Sequence, residues 1–376
     1  MTRKQDVIDP IRVGWVCDWP EPPKLHASIM QYAYDEAYEE GVIDRPIEIV
    51  VRGAHGLPRG SAHAVVDAWK ELEAAGVLAV YGPQKSENAL QLREYIETVG
   101  HIPTVTICGT ERFYGEWCFG VSNGALGEEP YLMANFLAAR RVRRAALVVE
   151  KNTTGRDYLD AYMVAAAREQ IETVSITMVS QVETKFDEIV ERLRSTAPEA
   201  VVYLGYGYPL IELNAALERA TWEPIRVANT AILTAISVPE GLAAVRGWVG
   251  VDQYDEENPT AERFLDGIHA KLGFRPANGV AMFIYDAARV IAHGIGLADN
   301  LSPAGVRDGL ERVKWLPAAT GAAGSMLNLG RWQRRAWFGP QYLVMRQVFD
   351  GPTDPAGELP SRLVHRYEPH DRRTPL

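Results

Sequence analysis

The feature that most constrains this chain is an order of elements that occurs twice. From Ile11 onward, short β-branched apolar runs alternate with longer amphipathic ones, the pattern of parallel strands joined by crossover helices. Ile11–Val16 reads as a buried strand, Leu25–Glu40 as a helix stopped at Gly41, Ile47–Arg52 as a strand, and Ala62–Ala75 as a helix capped by Ser61 and closed by Gly76. Val77–Tyr81 is a strand, Glu87–Val99 a helix ended by Gly100, Thr104–Cys108 a further strand and Cys118–Val121 a weaker one. The order then restarts with strand Ala145–Glu150, helix Arg156–Gln170, strand Val174–Val179, helix Phe186–Thr196, strand Ala200–Leu204, helix Leu210–Ala220 and strand Ile225–Ala228. Placing Ala145 on Ile11 offsets the halves by about 130 residues; element order repeats, residue identity does not. Two doubly wound parallel-sheet lobes of the α/β class are therefore expected.

Beyond Gly247–Tyr254 the spacing predicts helices over Pro259–Leu272, Val280–Leu297 and Ala304–Val313, the last capped by Ser302 with Pro303 at its first position, and a final strand over Tyr342–Phe349. These have no counterpart in the first repeat and must return onto the two lobes. After Asp350 the runs DGPTDPAGELP and EPHDRRTPL are Pro-rich and charged, which suits a surface strap or a partly disordered tail over 351–376.

Composition narrows the function. A chain of 376 residues holds two to three domains. No apolar run approaches the ~20 residues that cross a bilayer, so the chain is not membrane-embedded. Asp+Glu 49 against Lys+Arg 39 gives a net charge of -10, a field that repels phosphate backbones, so nucleic acid is not an expected partner. Cys17, Cys108 and Cys118 cannot all pair and form no C-x-x-C, which fits a reducing compartment. The first ten residues carry no apolar core, so the chain as written reads as cytoplasmic; a removed leader would make it periplasmic or anchored outside the cell.

Several segments together resemble a known family: VLAVYGPQKSENA at 77–89, HIPTVTICGTE at 101–111, RAALVVEKNTTGRDYLDAY at 144–162, FDEIVERLRSTAPEAVVYLGYGYP at 186–209 and DGIHAKLGFRPANGVAMFIYDAARVI at 266–291. The chain is similar to the type I periplasmic solute-binding proteins, in particular the leucine/isoleucine/valine-binding branch and the cytoplasmic amide sensor of amidase operons. The likeness covers roughly 11–350 and rests on joint order and spacing, since no segment is a catalytic signature. It implies two lobes joined by a three-crossing hinge with the ligand trapped between them. Mapped here, lobe one takes 1–122 plus 252–328 and lobe two 123–251 plus 329–350. It implies a small-molecule ligand, no cofactor, and as protein partner an ABC permease or a cytoplasmic regulatory protein; it also leaves room for a homodimer.

In open parallel sheets, ligands bind outside the carboxyl ends of the strands. In the first lobe those ends are Cys17-Asp18-Trp19-Pro20, Gly82-Pro83-Gln84-Lys85-Ser86 and Cys108-Gly109-Thr110. The resemblance implies that Ser86 and Thr110 offer hydroxyls, and Cys108 backbone polarity, to a ligand carboxylate or amide. Ser86 reads equally as the N-cap of the following helix, and the two roles are compatible. In the second lobe the ends are Lys151 to Gly155, Gly205 to Pro209, and Asn229-Thr230-Ala231. The family often carries an aromatic where Thr154 stands and another at Gly207, which Tyr206 and Tyr208 bracket. Amino-acid-binding members carry an acid near Thr230 for the ligand ammonium, yet no Asp or Glu lies between Pro224 and Pro239. Burying an unpaired ammonium is costly. Trp19, Trp117, Tyr206, Tyr208 and Tyr254 instead suit an apolar or aromatic ligand with one carboxylate or amide end, although each Trp also reads as ordinary packing. Lys85 and Lys151 are cations that would neutralise a carboxylate, or solvated loop lysines. The expected binding set is Trp19, Gln84, Lys85, Ser86, Cys108, Gly109, Thr110, Thr154, Tyr206, Tyr208, Thr230 and Tyr254.

The alternative is a cofactor- or nucleotide-dependent enzyme on a doubly wound fold. Gly205-Tyr206-Gly207 follows a strand and opens a helix, with Glu223 near the distance of a ribose acid, but Leu210 stands where a dinucleotide fingerprint has its third glycine. There is no P-loop and no H-E-x-x-H, and His55 and His63 do not have the spacing of a metal pair. No catalytic or metal-ligating set is expected.

Overall fold

The computed structural model describes residues 9–19, 21–235, 241, 244–276, 278–349 and 361–369. The chain divides into two compact units: Met1–Asn123, Ala281–Ala319 and Met326–Phe338 in the first, Gly124–Val280, Thr320–Ser325 and Gly339–Leu376 in the second.

In the first unit the apolar runs become β1 (Ile11–Cys17), β2 (Ile47–Gly53), β3 (Ala79–Tyr81), β4 (Thr104–Thr106) and β5 (Cys118–Gly120), with α1 (Lys24–Glu39), α2 (Ala62–Ala74) and α3 (Ser86–Tyr95) between them. The strands form one parallel sheet in the order β2-β1-β3-β4-β5. Ser61 caps α2 as expected, its hydroxyl accepting from the His63 amide at 3.1 Å. The helical run after α3 widens into a π turn over Ile96–Gly100. There the chain passes against Trp69: a Cβ on Gly100 would lie 2.3 Å from the Trp69 ring. Trp69 is fully buried with Leu72, Val80, Leu92 and Phe113, and its indole N–H donates to Thr104 Oγ1 at 3.1 Å. Each such side chain contributes roughly 1.5–3 kcal/mol of burial.

The second unit opens with a helix that periodicity does not announce, α4 (Glu129–Ala139). Eight of its residues, from Glu129 through Leu137, are buried, so no polar face alternates with an apolar one to mark it. Then follow β6 (Arg144–Glu150), α5 (Thr153–Arg168), β7 (Glu172–Val179), α6 (Asp187–Ser195), β8 (Ala200–Leu204), α7 (Leu210–Arg219), β9 (Ile225–Ala228), α8 (Ala231–Ala235) and β10 (Val249–Asp252). The sheet order β10-β9-β8-β6-β7 is parallel, and two antiparallel strands, Val344–Val348 and Ser361–Arg366, extend it beyond β10.

Two stretches fall on the other side of the expected lobe boundaries. Residues 252–280 belong to the second unit: the Tyr254 carbonyl accepts from Arg346 at 3.1 Å, and Asn258 donates to the Gly321 carbonyl at 2.9 Å. Residues 329–338 belong to the first, where Ala336 N donates to the Gly120 carbonyl at 2.8 Å. The chain changes unit after Asn123, Val280, Ala319, Ser325 and Phe338, so a short excursion over 320–325 is added to the three expected crossings. Within the tail, residues 361–369 are more ordered than the composition suggests. Ser361–Arg366 is a strand, Arg366 forks onto both Asp255 oxygens at 2.7 Å, and His365 Nε2 lies 2.9 Å from Asn135 Oδ1. The expectations for 351–360 and 370–376 lie outside the described residues.

Candidate functional site

In the first unit the strand ends are organised by one carboxylate. Asp18, directly after β1 and 1% exposed, accepts from the amides of Gln84 at 3.1 Å and Lys85 at 2.9 Å and from Asn88 Nδ2 at 2.8 Å. It therefore does for α3 what a local cap does elsewhere, from 66 residues upstream of Gln84. Ser86 is consequently not the cap: it is the first helical residue, buried, with Lys85 in the cap position.

Around this anchor three expected residues come together. Trp19 Nε1 donates to Gln84 Oε1 at 2.6 Å, and Lys85 Nζ sits 4.4 Å over the Trp19 ring while donating to the Asp18 carbonyl at 3.1 Å. Gln84 Nε2 lies 3.4 Å from His26 Nδ1, and burial pushes the His26 imidazole down to about 4, so the ring is neutral at pH 7 and can accept there. On the neighbouring loop Thr106 Oγ1 donates to the Pro83 carbonyl at 2.5 Å and accepts from Cys108 N at 3.0 Å. Thr110 is buried, its hydroxyl accepting from Arg112 N at 3.4 Å, and Gly109 beside it is half-buried. Cys17 and Cys108 are buried thiols pushed up to about 12, chiefly by desolvation.

The second unit repeats the device. Glu150, the last residue of β6 and 0% exposed, accepts at Oε1 from the amides of Tyr206 at 2.8 Å and Gly207 at 2.9 Å and from the Tyr203 hydroxyl at 2.5 Å. Its Oε2 takes Asn152 Nδ2 at 2.9 Å and Gln181 Nε2 at 3.0 Å. Burial raises the Glu150 carboxyl and these donors oppose the rise. In both halves, then, a buried acid at the end of the repeat's first strand holds the backbone amides of the loop after its third.

This arrangement bears on the dinucleotide alternative. The amides at Gly205–Gly207 that would cradle a pyrophosphate are already given to Glu150, and Gly205 N donates to Asn229 Oδ1 at 3.3 Å. The same loop brings two expected residues together: Thr154 Oγ1 lies 3.1 Å from the Tyr206 hydroxyl. Thr154 is buried at the start of α5, which is capped by Asn152 rather than starting at Arg156, while Tyr206 and Tyr208 are half-buried.

Thr230 has an acid beside it after all. Glu129, at the start of α4, accepts from Thr230 N at 2.8 Å, Thr230 Oγ1 at 3.2 Å, Ala125 N at 2.9 Å and the Tyr158 hydroxyl at 2.7 Å. Glu129 is 0% exposed and desolvation pushes its carboxyl up to about 7 against those hydrogen bonds. The absence of acids near Thr230 in sequence is thus not an absence in space, but these contacts direct Glu129 into the fold. Thr230 gives both its amide and its hydroxyl to this lock. Tyr254 has partners of its own: its hydroxyl donates to Glu262 at 3.1 Å and its ring packs under Arg346 at 4.7 Å.

With this geometry established, comparison with known proteins is decisive. The sequence profile of the family described as periplasmic binding protein matches residues 23–340. The chain belongs to that family. Among solved structures it is similar to a type 1 periplasmic binding protein from Bordetella pertussis Tohama I, at 16% identity and TM-score 0.78 over 95% of this chain and 100% of that one. It is similar to the branched-chain amino acid transporter substrate-binding protein LivJ of Streptococcus pneumoniae in complex with isoleucine, at 15% identity and TM-score 0.75 over 94% and 100%. A solute-binding protein of an ABC transporter from R. palustris, in complex with 4-hydroxybenzoate, matches at 16% identity and TM-score 0.75 over 97% and 99%. None of the curated proteins matches the chain.

For this periplasmic binding protein, sequence reasoning located the loops but missed Asp18, Glu150 and Glu129 as their organisers. Asp18 was visible at a strand end. Glu150 closes an apolar strand where a charge has to find partners, a signal that was available and unused. Among the described residues no helix is long and apolar enough to cross a membrane.

Proposed function

We propose that this chain is a solute-binding protein that captures a small organic ligand, apolar or aromatic with a carboxylate or amide end, by hinge closure, and that it is not an enzyme. The observation that carries the ligand class is the Trp19–Gln84–Lys85 cluster, a ring with a cation stacked on it and an amide beside it. An aromatic face suits an apolar body, and Lys85 suits a carboxylate. Thr154, Tyr206 and Tyr208 carry hydroxyls and rings at the strand ends of the second unit. The engagement of Glu129 with Thr230 speaks against an ordinary α-ammonium partner there. The 4-hydroxybenzoate complex of the R. palustris relative supports an aromatic acid as the first compound to try. The use of the Tyr206 and Gly207 amides by Glu150 and the raised thiols speak for recognition rather than catalysis.

A thermal-shift screen of aromatic acids, hydrophobic carboxylates, aliphatic amides and branched-chain amino acids tests this. A ligand at 100 Kd stabilises the native state by about 2.7 kcal/mol. A saturable rise with 4-hydroxybenzoate or a related acid, lost in Trp19→Ala and Lys85→Met, is expected. A rise with leucine alone would overturn the ligand class, and no rise with any compound would overturn the reading. The use is delivery to an ABC-type permease or sensing through a cytoplasmic regulatory protein; fractionation of cells making the native protein separates them, periplasmic retention supporting the first and cytosolic retention the second.

A further inference from the structure

The relevant contacts all lie within the second unit. The chain enters or leaves that unit at Gly124, at Val280, around the excursion 320–325 and at Gly339. Three of these four places are tied to one dipeptide at the end of β10. Gln253 Oε1 accepts from Gly124 N at 3.1 Å, the Gln253 carbonyl accepts from Gly321 N at 2.8 Å, and Asp252 Oδ1 accepts from Gly279 N at 2.8 Å. Each donor is a glycine set too close for a side chain. A Cβ would lie 2.0 Å from Glu129 Oε1 at Gly124, 2.3 Å from Asp252 Oδ1 at Gly279 and 2.6 Å from the Tyr342 Cα at Gly321.

From the first of these places a second link leads to the 229–230 turn. Ala125, next to Gly124, gives its amide to Glu129 Oε1, and Glu129 Oε2 holds Thr230 N. Gln253 is 0% exposed, and its Nε2 has no hydrogen-bond partner among the described residues. An orphaned buried donor is rare and disfavoured, and an apolar side chain of the same length would avoid it. The amide is therefore not explained by packing alone, whereas its oxygen has a specific task.

We propose that Gln253 is the positioning residue for movement between the two units: it sets the spacing of the connecting segments where they enter the second unit, and Glu129 couples the 229–230 turn to that spacing. This rests on the reading that the protein closes on a solute, but its test needs none. Hydrogen exchange on the intact ligand-free protein compares wild type with Gln253→Met, which keeps length and loses the acceptor. In parallel, spin labels at Ala74→Cys and Ala167→Cys, exposed positions in the first and second unit, report the distance distribution; the native cysteines are buried. In Gln253→Met the amide of Thr230, which is held by Glu129 and not by Gln253, is expected to exchange about tenfold faster, and the distribution to broaden. Gln253→Glu, which retains an oxygen for Gly124, is expected to restore both. Faster exchange at Gly124 with Thr230 and the distance distribution unchanged would show a local structural role and overturn the proposal. Should Gln253→Met fail to fold, Gln253→Ser, too short to reach Gly124, carries the same readouts. Because no ligand is added, a flat solute screen and a failure here are separate results.

Discussion

The Oε1 atom of Glu150 lies 2.9 Å from the amide nitrogen of Gly207, so a loop of the kind that commonly binds anions is already closed by an acid of the protein itself. Asp18 does the same for the Gln84 and Lys85 amides, with one difference that can be measured. The amides held by Glu150 converge on one oxygen, and its other oxygen faces only side-chain amides: that of Gln181, which can turn over, and that of Asn152, which can swing away at the expense of its cap on Gly155 N. Asp18 gives one oxygen to each backbone amide. Glu150→Gln is therefore expected to cost about 1 kcal/mol and Asp18→Asn about 3 kcal/mol, because the latter sets an NH2 against a fixed N–H. Urea unfolding at constant m value reads both; equal costs would contradict the assignment.

Glu129 makes stability depend on pH in a definite sense. Its folded-state value, about 7, lies above the ordinary carboxyl value of 4.5 that the unfolded chain has. Its contribution is fully present below the ordinary value, is lost as pH rises through about 7, and is flat above that. Wild type minus Glu129→Gln, in unfolding free energy, should fall by up to about 3 kcal/mol across this window. A difference that is constant with pH would refute the raised value.

The thiols give a cheaper test. Cys17 and Cys108 are pushed up to about 12 and Cys118 well above its ordinary value, in each case chiefly by desolvation, and all three are buried. Native protein at pH 8 should release almost no colour from a thiol-exchange reagent over an hour, while guanidinium should expose three thiols. Rapid reaction of even one in the native state would show a strand end open to solvent.

Much of this architecture was legible in the chain, and what was not has identifiable causes. Ser61 and Ser302 are local caps, with acceptor and donor a few residues apart, and both act as read. Pro259–Leu272 has the read bounds because Asn258 caps it and Gly273 ends it in the left-handed conformation. Helix α4 was missed because it is buried on nearly every side and leaves no stripe. Asp18 and Glu129 were missed as organisers because a carboxylate that caps a loop from 66 or 101 residues away has no spacing to read. The exchange of 252–280 between lobes has the same origin: its ties to Arg346 and Gly321 cross most of a domain in sequence. The expected binding residues differ in their surroundings. Trp19, Gln84 and Lys85 cluster because strand ends in a parallel sheet converge. Thr230 lies at such an end too, but the fold uses its polar groups.

The strand Ser361–Arg366 covers the flank of Val344–Val348. It pairs along the whole of Val344–Val348, so the inner of these two strands never shows its backbone to solvent. A chain cut at 350 would leave that flank as an open template of alternating donors and acceptors, next to the Arg346 side chain that now gives hydrogen bonds to Ser361. Such a truncation is expected to fold its parallel strands and yet to self-associate in a concentration-dependent way, visible by light scattering, whereas Ser361→Ala in the full chain should not. The end of the chain thus serves as a guard on the sheet, and its Pro-rich composition conceals that duty.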